Sequence, residues 1–140
     1  MSEGVSVNVK YKSKNGNDLL MCAAYGGLKE LCKFLISKGA DLDNKDENGM
    51  AALMRAASRG HKKVCEILIE SGADVNAKSN YGTTALMFAA TAGYKNICKL
   101  LVLNKADLNA KDNDGDTASM IAKREGYEEI CKFLNKKIND

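Results

Sequence analysis

Apolar residues along this chain follow a helical beat that restarts at a fixed interval. Between Tyr94 and Leu103, the residues Ile97, Cys98, Leu100, Leu101 and Val102 fall at the three- and four-residue steps that gather apolar side chains on one helix face. A shorter run precedes it, Ala85-Leu-Met-Phe-Ala-Ala, rich in helix-favouring alanine and leucine and preceded by Thr84, whose hydroxyl suits an N-cap. Gly93 separates the two segments, because glycine alone takes the left-handed conformation cheaply. Ala106-Asp-Leu-Asn-Ala-Lys-Asp-Asn then sets a lone Leu108 among turn formers, which predicts an exposed hairpin-like loop. The pattern predicts a unit of turn, short helix and second helix.

The unit recurs every 33 residues: Gly16, Gly49, Gly82 and Gly115 share one phase, and Cys32, Cys65, Cys98 and Cys131 another. Leu20-Met21, Leu53-Met54, Leu86-Met87 and Ser119-Met120 keep register, as do Gly27, Gly60, Gly93 and Gly126. A fixed period of this length marks a stacked repeat protein, in which each helix pair buries its apolar face only against its neighbours. The expected fold is an all-α solenoid of helix-turn-helix units with hairpin-like loops. Residues 1–14 are expected as an extended segment or the end of a preceding loop, followed by units 15–47, 48–80, 81–113 and a capping unit 114–140. In the last unit Ser119, Lys123 and Asn135 stand where the preceding one has Leu86, Ala90 and Val102, a polar outer face expected of a terminal cap. The first unit keeps Leu20, Ala24 and Ile36, so Val5 to Tyr11 are expected over its open side or in an earlier loop. Lys105 occupies the slot of Gly39 and Gly72 after the second helix, where a left-handed residue is expected.

These residues resemble the ankyrin repeat. Thr84-Ala-Leu-Met, Ala89-Ala90, Gly93, Ile97-Cys98, Leu100-Leu101 and Ala106-Asp-Leu-Asn-Ala-Lys-Asp carry the likeness, which covers residues 15 to 140. Val9-Lys-Tyr-Lys-Ser, just before, matches the loop Val75-Asn-Ala-Lys-Ser. The chain departs from the family signature in having no proline and in placing Met where the signature has His, so apolar packing is expected to replace the Thr–His hydrogen bonding. By analogy, the resemblance implies binding of another protein rather than chemistry.

With 140 residues, 45% of them apolar, the chain is long enough for one domain with an ample core. Its net charge of +3 lacks the concentrated basic footprint of a nucleic-acid binder, so no nucleic-acid partner is expected. No run of 18 apolar residues and no basic leader before an apolar core is present, so no membrane association is expected either. Five cysteines, an odd count, argue against a disulfide framework and for a reducing, cytoplasmic setting.

Candidate chemistry is sparse. The in-phase cysteines invite a metal or redox role, but stacked helices sit about 8–10 Å apart, whereas a disulfide needs Cα atoms within about 7 Å. They are therefore read as small core residues, and Cys22, at a variable slot, as more exposed. His61, the single histidine, offers no triad or metal cluster. Asp112-Asn-Asp-Gly-Asp-Thr begins like a calcium loop, but Thr117 and Lys123 replace the glycine and glutamate at its sixth and twelfth positions. No phosphate-binding glycine loop or nucleophile elbow occurs. No catalytic residue, cofactor or metal is expected.

What remains is a surface, sought where the units disagree. The candidate protein-binding residues are Asn48, Met50, Arg55 and Arg59 in the second unit; Asn80, Tyr81, Thr83, Phe88 and Thr91 around the third; and Asp114, Asp116, Ile121 and Arg124 in the fourth. Several of these slots match the ankyrin family's usual contact positions. Met50, Tyr81 and Phe88 are the expected anchors, since apolar and aromatic groups on an exposed face carry most interface energy. The expected function is an adaptor that binds an unidentified protein through a concave face as a monomer, with weak self-association through the N-terminal end as a variant of that picture. The alternative is an architectural segment of a larger scaffold, or a self-associating module, without a concave-face partner.

Overall fold

The computed structural model describes residues 18–140. The expectations for residues 1–14, for Val5 to Tyr11 and for the first turn at Asn15 to Asn17 lie outside the described residues. Eight helices are described, and they follow one another in four pairs: α1 (Leu19–Gly26) and α2 (Lys29–Ser37), α3 (Ala52–Arg59) and α4 (Lys62–Glu70), α5 (Ala85–Ala92) and α6 (Lys95–Leu103), α7 (Ala118–Arg124) and α8 (Glu128–Asn139). There is no β-strand among the described residues.

The first helix of each pair is short and starts at one phase. Asp18, Thr84 and Thr117 cap α1, α5 and α7 by accepting the amides of Met21, Met87 and Met120 at 2.9, 3.3 and 3.3 Å, which satisfies a donor the helix itself leaves free. Ala51 gives α3 no such side-chain bond. Met21, Met54 and Met87 are each 1% exposed, so the expected apolar packing at the signature's His position is present. Met120, at the same slot, is half exposed.

The spacing of the helices follows from side-chain size. Ala23, Ala24, Ala56, Ala57, Ala89, Ala90 and Ala122 are fully buried on the first helices, and these helices contact their counterparts along the stack more extensively than the second helices do. Small side chains let backbones approach, while the second helices are kept apart by Leu35, Leu68, Leu101 and Leu134 and by larger flanking groups. The first helices therefore pack more closely along the row than the second helices do. One core runs through all four pairs from Leu20 to Leu134.

Cys32, Cys65 and Cys98 are completely buried on the second helices, while Cys131 is half-buried and Cys22 exposed. All five are free thiols. Burial pushes the pKa of Cys32 up to about 11 and those of Cys65 and Cys98 to about 12, because a thiolate loses its hydration there.

The loops are tight hairpins built on one device. The amides of Asp46, Ser79 and Asp112 donate to the carbonyls of Met50, Thr83 and Asp116. The side chains of the same three residues turn back: Asp46 Oδ1 accepts from the amides of Asn48 and Met50, Ser79 Oγ from Tyr81 and Thr83, and Asp112 Oδ1 from Asp114 and Asp116. After the second helices, Gly39 and Gly72 have φ of 88° and 103°, and Lys105 holds φ of 71° in their place, as its phase predicts. A non-glycine residue there costs about 1–2 kcal/mol.

Candidate functional site

The hairpin tips are tied to one another along the stack. The amide of Asn80 donates to the carbonyl of Asn48 at 2.9 Å, and that of Asn113 to Tyr81 at 3.0 Å. The side-chain amides of Asn80 and Asn113 add bonds to the carbonyls of Glu47 and Asn80 at 2.7 and 3.1 Å. Lys45 and Lys78 reach the carbonyls of Lys78 and Lys111, one unit further on. Asn80 is thus spent on joining units, whereas Asn48, Tyr81 and Asp114 project at the tips; Tyr81 is 67% exposed. Thr83 is half-buried, with its amide on Ser79 Oγ.

Met50 and Phe88 are half-buried and pack against the core, so of the three expected anchors Tyr81 offers by far the most open surface. Ile121 departs from its expected surface role: it is 4% exposed and belongs to the core. The cause is chemical, since a short branched alkyl group has no polar end to carry outward and folds onto its neighbours. Arg55, at the same slot, carries its charge back to Asp46, whose side chain is 1% exposed. Burial raises the Asp46 pKa, but the amide of Met50, the Arg55 guanidinium and the amide of Asn48 together outweigh it and hold the group below its ordinary 3.8. Arg55 therefore braces the hairpin as well as lining the face.

Arg59 is exposed and lies over the Tyr25 ring at 4.9 Å, with the Arg55 guanidinium at 5.9 Å from the same ring. Met21, Cys22, Tyr25 and Arg55 line a shallow hollow of about 180 Å³ between the first two helices of this row. Thr91 is exposed and its hydroxyl returns to the Met87 carbonyl. Arg124 is exposed and pairs with Asp116 at 2.6 Å. The face is therefore a ledge of tips (Asn48, Tyr81, Asp114) beside a row of helix side chains (Tyr25, Arg59, Thr91, Arg124). Tyr25, at the slot of Ser58, Thr91 and Arg124, is 44% exposed, and the two arginines over its ring give it weight on this face.

Two polar groupings take part in local bonding. His61 Nε2 lies 2.9 Å from the Tyr25 carbonyl, and its ring covers Gly27. The carboxylates of Asp112, Asp114 and Asp116 come within 4.8 Å of one another at an exposed tip, where Asp112 serves the turn and Asp116 serves Arg124. No helix among the described residues is long and apolar enough to cross a membrane.

A family model of ankyrin repeats, three copies, matches residues 1–79 and 77–140, and the chain belongs to the ankyrin-repeat family. No curated protein matches it. Members of this family generally act as protein–protein interaction modules and are typically non-catalytic, and that general role is what membership brings.

Proposed function

We propose that this chain is a non-catalytic adaptor that binds a partner protein through the face formed by its hairpin tips and first helices. The observation that carries the reading is Tyr81: a large aromatic group, 67% exposed, held on a backbone fixed by Ser79 below and Asn113 alongside. A rigid, amphipathic side chain of this kind contributes contact area at little entropic cost. Arg59 over Tyr25 extends the same face, and arginine and tyrosine are the groups that most often anchor interfaces. Free thiols fit a reducing setting, so the cytoplasm is part of this reading, as is a monomeric module without cofactor.

The test is affinity capture from lysate of the source cells, comparing the wild-type chain with a folded Arg59→Glu, Tyr81→Asp variant. A protein recovered by the wild type and lost by the variant supports the reading and supplies the partner. Identical captures contradict it.

A further inference from the structure

The second-helix side carries a feature the adaptor reading does not use. Between α6 and α8 a groove of about 460 Å³ is lined by Lys99, Val102, Leu103, Lys105, Phe133 and Lys137. Leu103 stands at its edge 81% exposed, the most exposed large apolar side chain among the described residues. The ammonium groups of Lys99 and Lys137 flank the Phe133 ring at 6.0 and 5.9 Å. None of the three lysines takes part in an ion pair among the described residues, and no acidic residue lines the groove.

The repeat supplies its own controls. The slot of Leu103 holds Ser37, Glu70 and Lys136 in the other units, and the slot of Lys105 holds Gly39 and Gly72. One unit earlier, the slots of Lys99 and Leu103 are both glutamates, Glu66 and Glu70. Two departures thus fall together on one groove, one leaving a leucine in water and the other holding a lysine at φ of 71°. The leucine keeps most of its surface in water, and the lysine strains a turn that glycine fits. Backbone strain that the surrounding structure maintains often accompanies a functional site.

We infer that this groove docks an acidic peptide segment bearing an apolar side chain. The apolar group packs on Leu103, Val102 and the Phe133 ring, and its flanking carboxylates meet Lys99, Lys105 and Lys137. Charge complementarity selects the acidic partner, and the exposed leucine selects a peptide over a bare phosphate backbone, which has nothing to place on it. A membrane surface fits less well, because a groove with one projecting leucine does not offer a broad apolar face. The site is separate from the first-helix face, so it stands or falls independently of the adaptor reading.

The experiment is selection of a random-peptide display library on the full chain, followed by affinity measurement for Leu103→Ser and Lys105→Gly. Both substitutions install residues that the repeat itself uses at those slots, so folding is retained and is checked by circular dichroism. The expected result is enrichment of acidic sequences carrying an apolar residue, with binding weakened about tenfold by either change and screened by salt. No enrichment, binding unaffected by both substitutions, or preferential binding of wild type to polyuridylate or phosphatidylserine vesicles overturns the inference.

Discussion

The ring of Tyr127 lies over Gly93, so close that a Cβ on the glycine would stand 2.5 Å from it. The same relationship joins Tyr94 to Gly60 and His61 to Gly27, each ring reaching back one unit to cover the glycine that ends a first helix. Register between units is thus set by a ring meeting bare backbone as well as by apolar burial. Gly93→Ala is expected to destabilise by more than the roughly 1–2 kcal/mol that its φ of 83° costs alone, because the ring must also move. Gly126→Ala, with φ of 86° and nothing within 4 Å, is expected to show only the backbone cost. Equal losses in chemical denaturation would show that the ring contact contributes nothing.

Lys105 gives the converse case. Its left-handed conformation is maintained while Asn76 Nδ2 donates to its carbonyl at 3.1 Å. Lys105→Gly relieves the side-chain clash and keeps that carbonyl, and is expected to stabilise the chain by up to about 1 kcal/mol, net of the extra freedom glycine brings to the unfolded state. A lower midpoint in urea would contradict the assignment of strain.

Asp46 should make stability depend on pH. Its folded pKa lies below the ordinary 3.8, so its contribution is complete above that value and disappears as pH falls through the folded pKa. Asp46→Asn is expected to cost about 1–3 kcal/mol at neutral pH, where hydrogen bonds to a charged group are lost. The gap between wild type and variant should shrink below pH 3.8. A gap independent of pH would mean that the amides of Met50 and Asn48 and the Arg55 guanidinium give the ionised carboxylate no net stability over the protonated one.

Thiol labelling separates the cysteines. Cys22 is exposed and should react first, with half-buried Cys131 slower. Cys65 and Cys98, with pKa raised to about 12 and no exposed sulfur, should react only through opening of their units, at rates that rise with denaturant. Rapid modification of either in the folded chain would contradict this packing.

Much of this architecture was legible because a 33-residue phase exposes each slot several times over: the glycine breaks, the threonine caps, the buried cysteines and the left-handed Lys105 all fall where the phase puts them. The surface was harder to read. Ile121 and Arg55 share a slot with Phe88, yet one sinks into the core and the other turns to Asp46, since a slot fixes where a side chain starts and its chemistry decides where it ends. The periodic stripe of the second helices says nothing of the apolar residues that fall off it, and Phe34 and Leu103 are 54% and 81% exposed. Comparison of Leu103 with Ser37, Glu70 and Lys136 held the missing signal.

Hydroxyl-radical footprinting of the chain with its captured partner tests the proposed face most directly, because each face carries its own exposed reporters. Tyr81 and Tyr25, 67% and 44% exposed, stand on the tip and first-helix face; Phe34 and Leu103 stand on the second helices. The partner is expected to protect Tyr81 and Tyr25 and to leave Phe34 reactive. Protection confined to the second-helix residues, with Tyr81 as reactive as in the free chain, would contradict it.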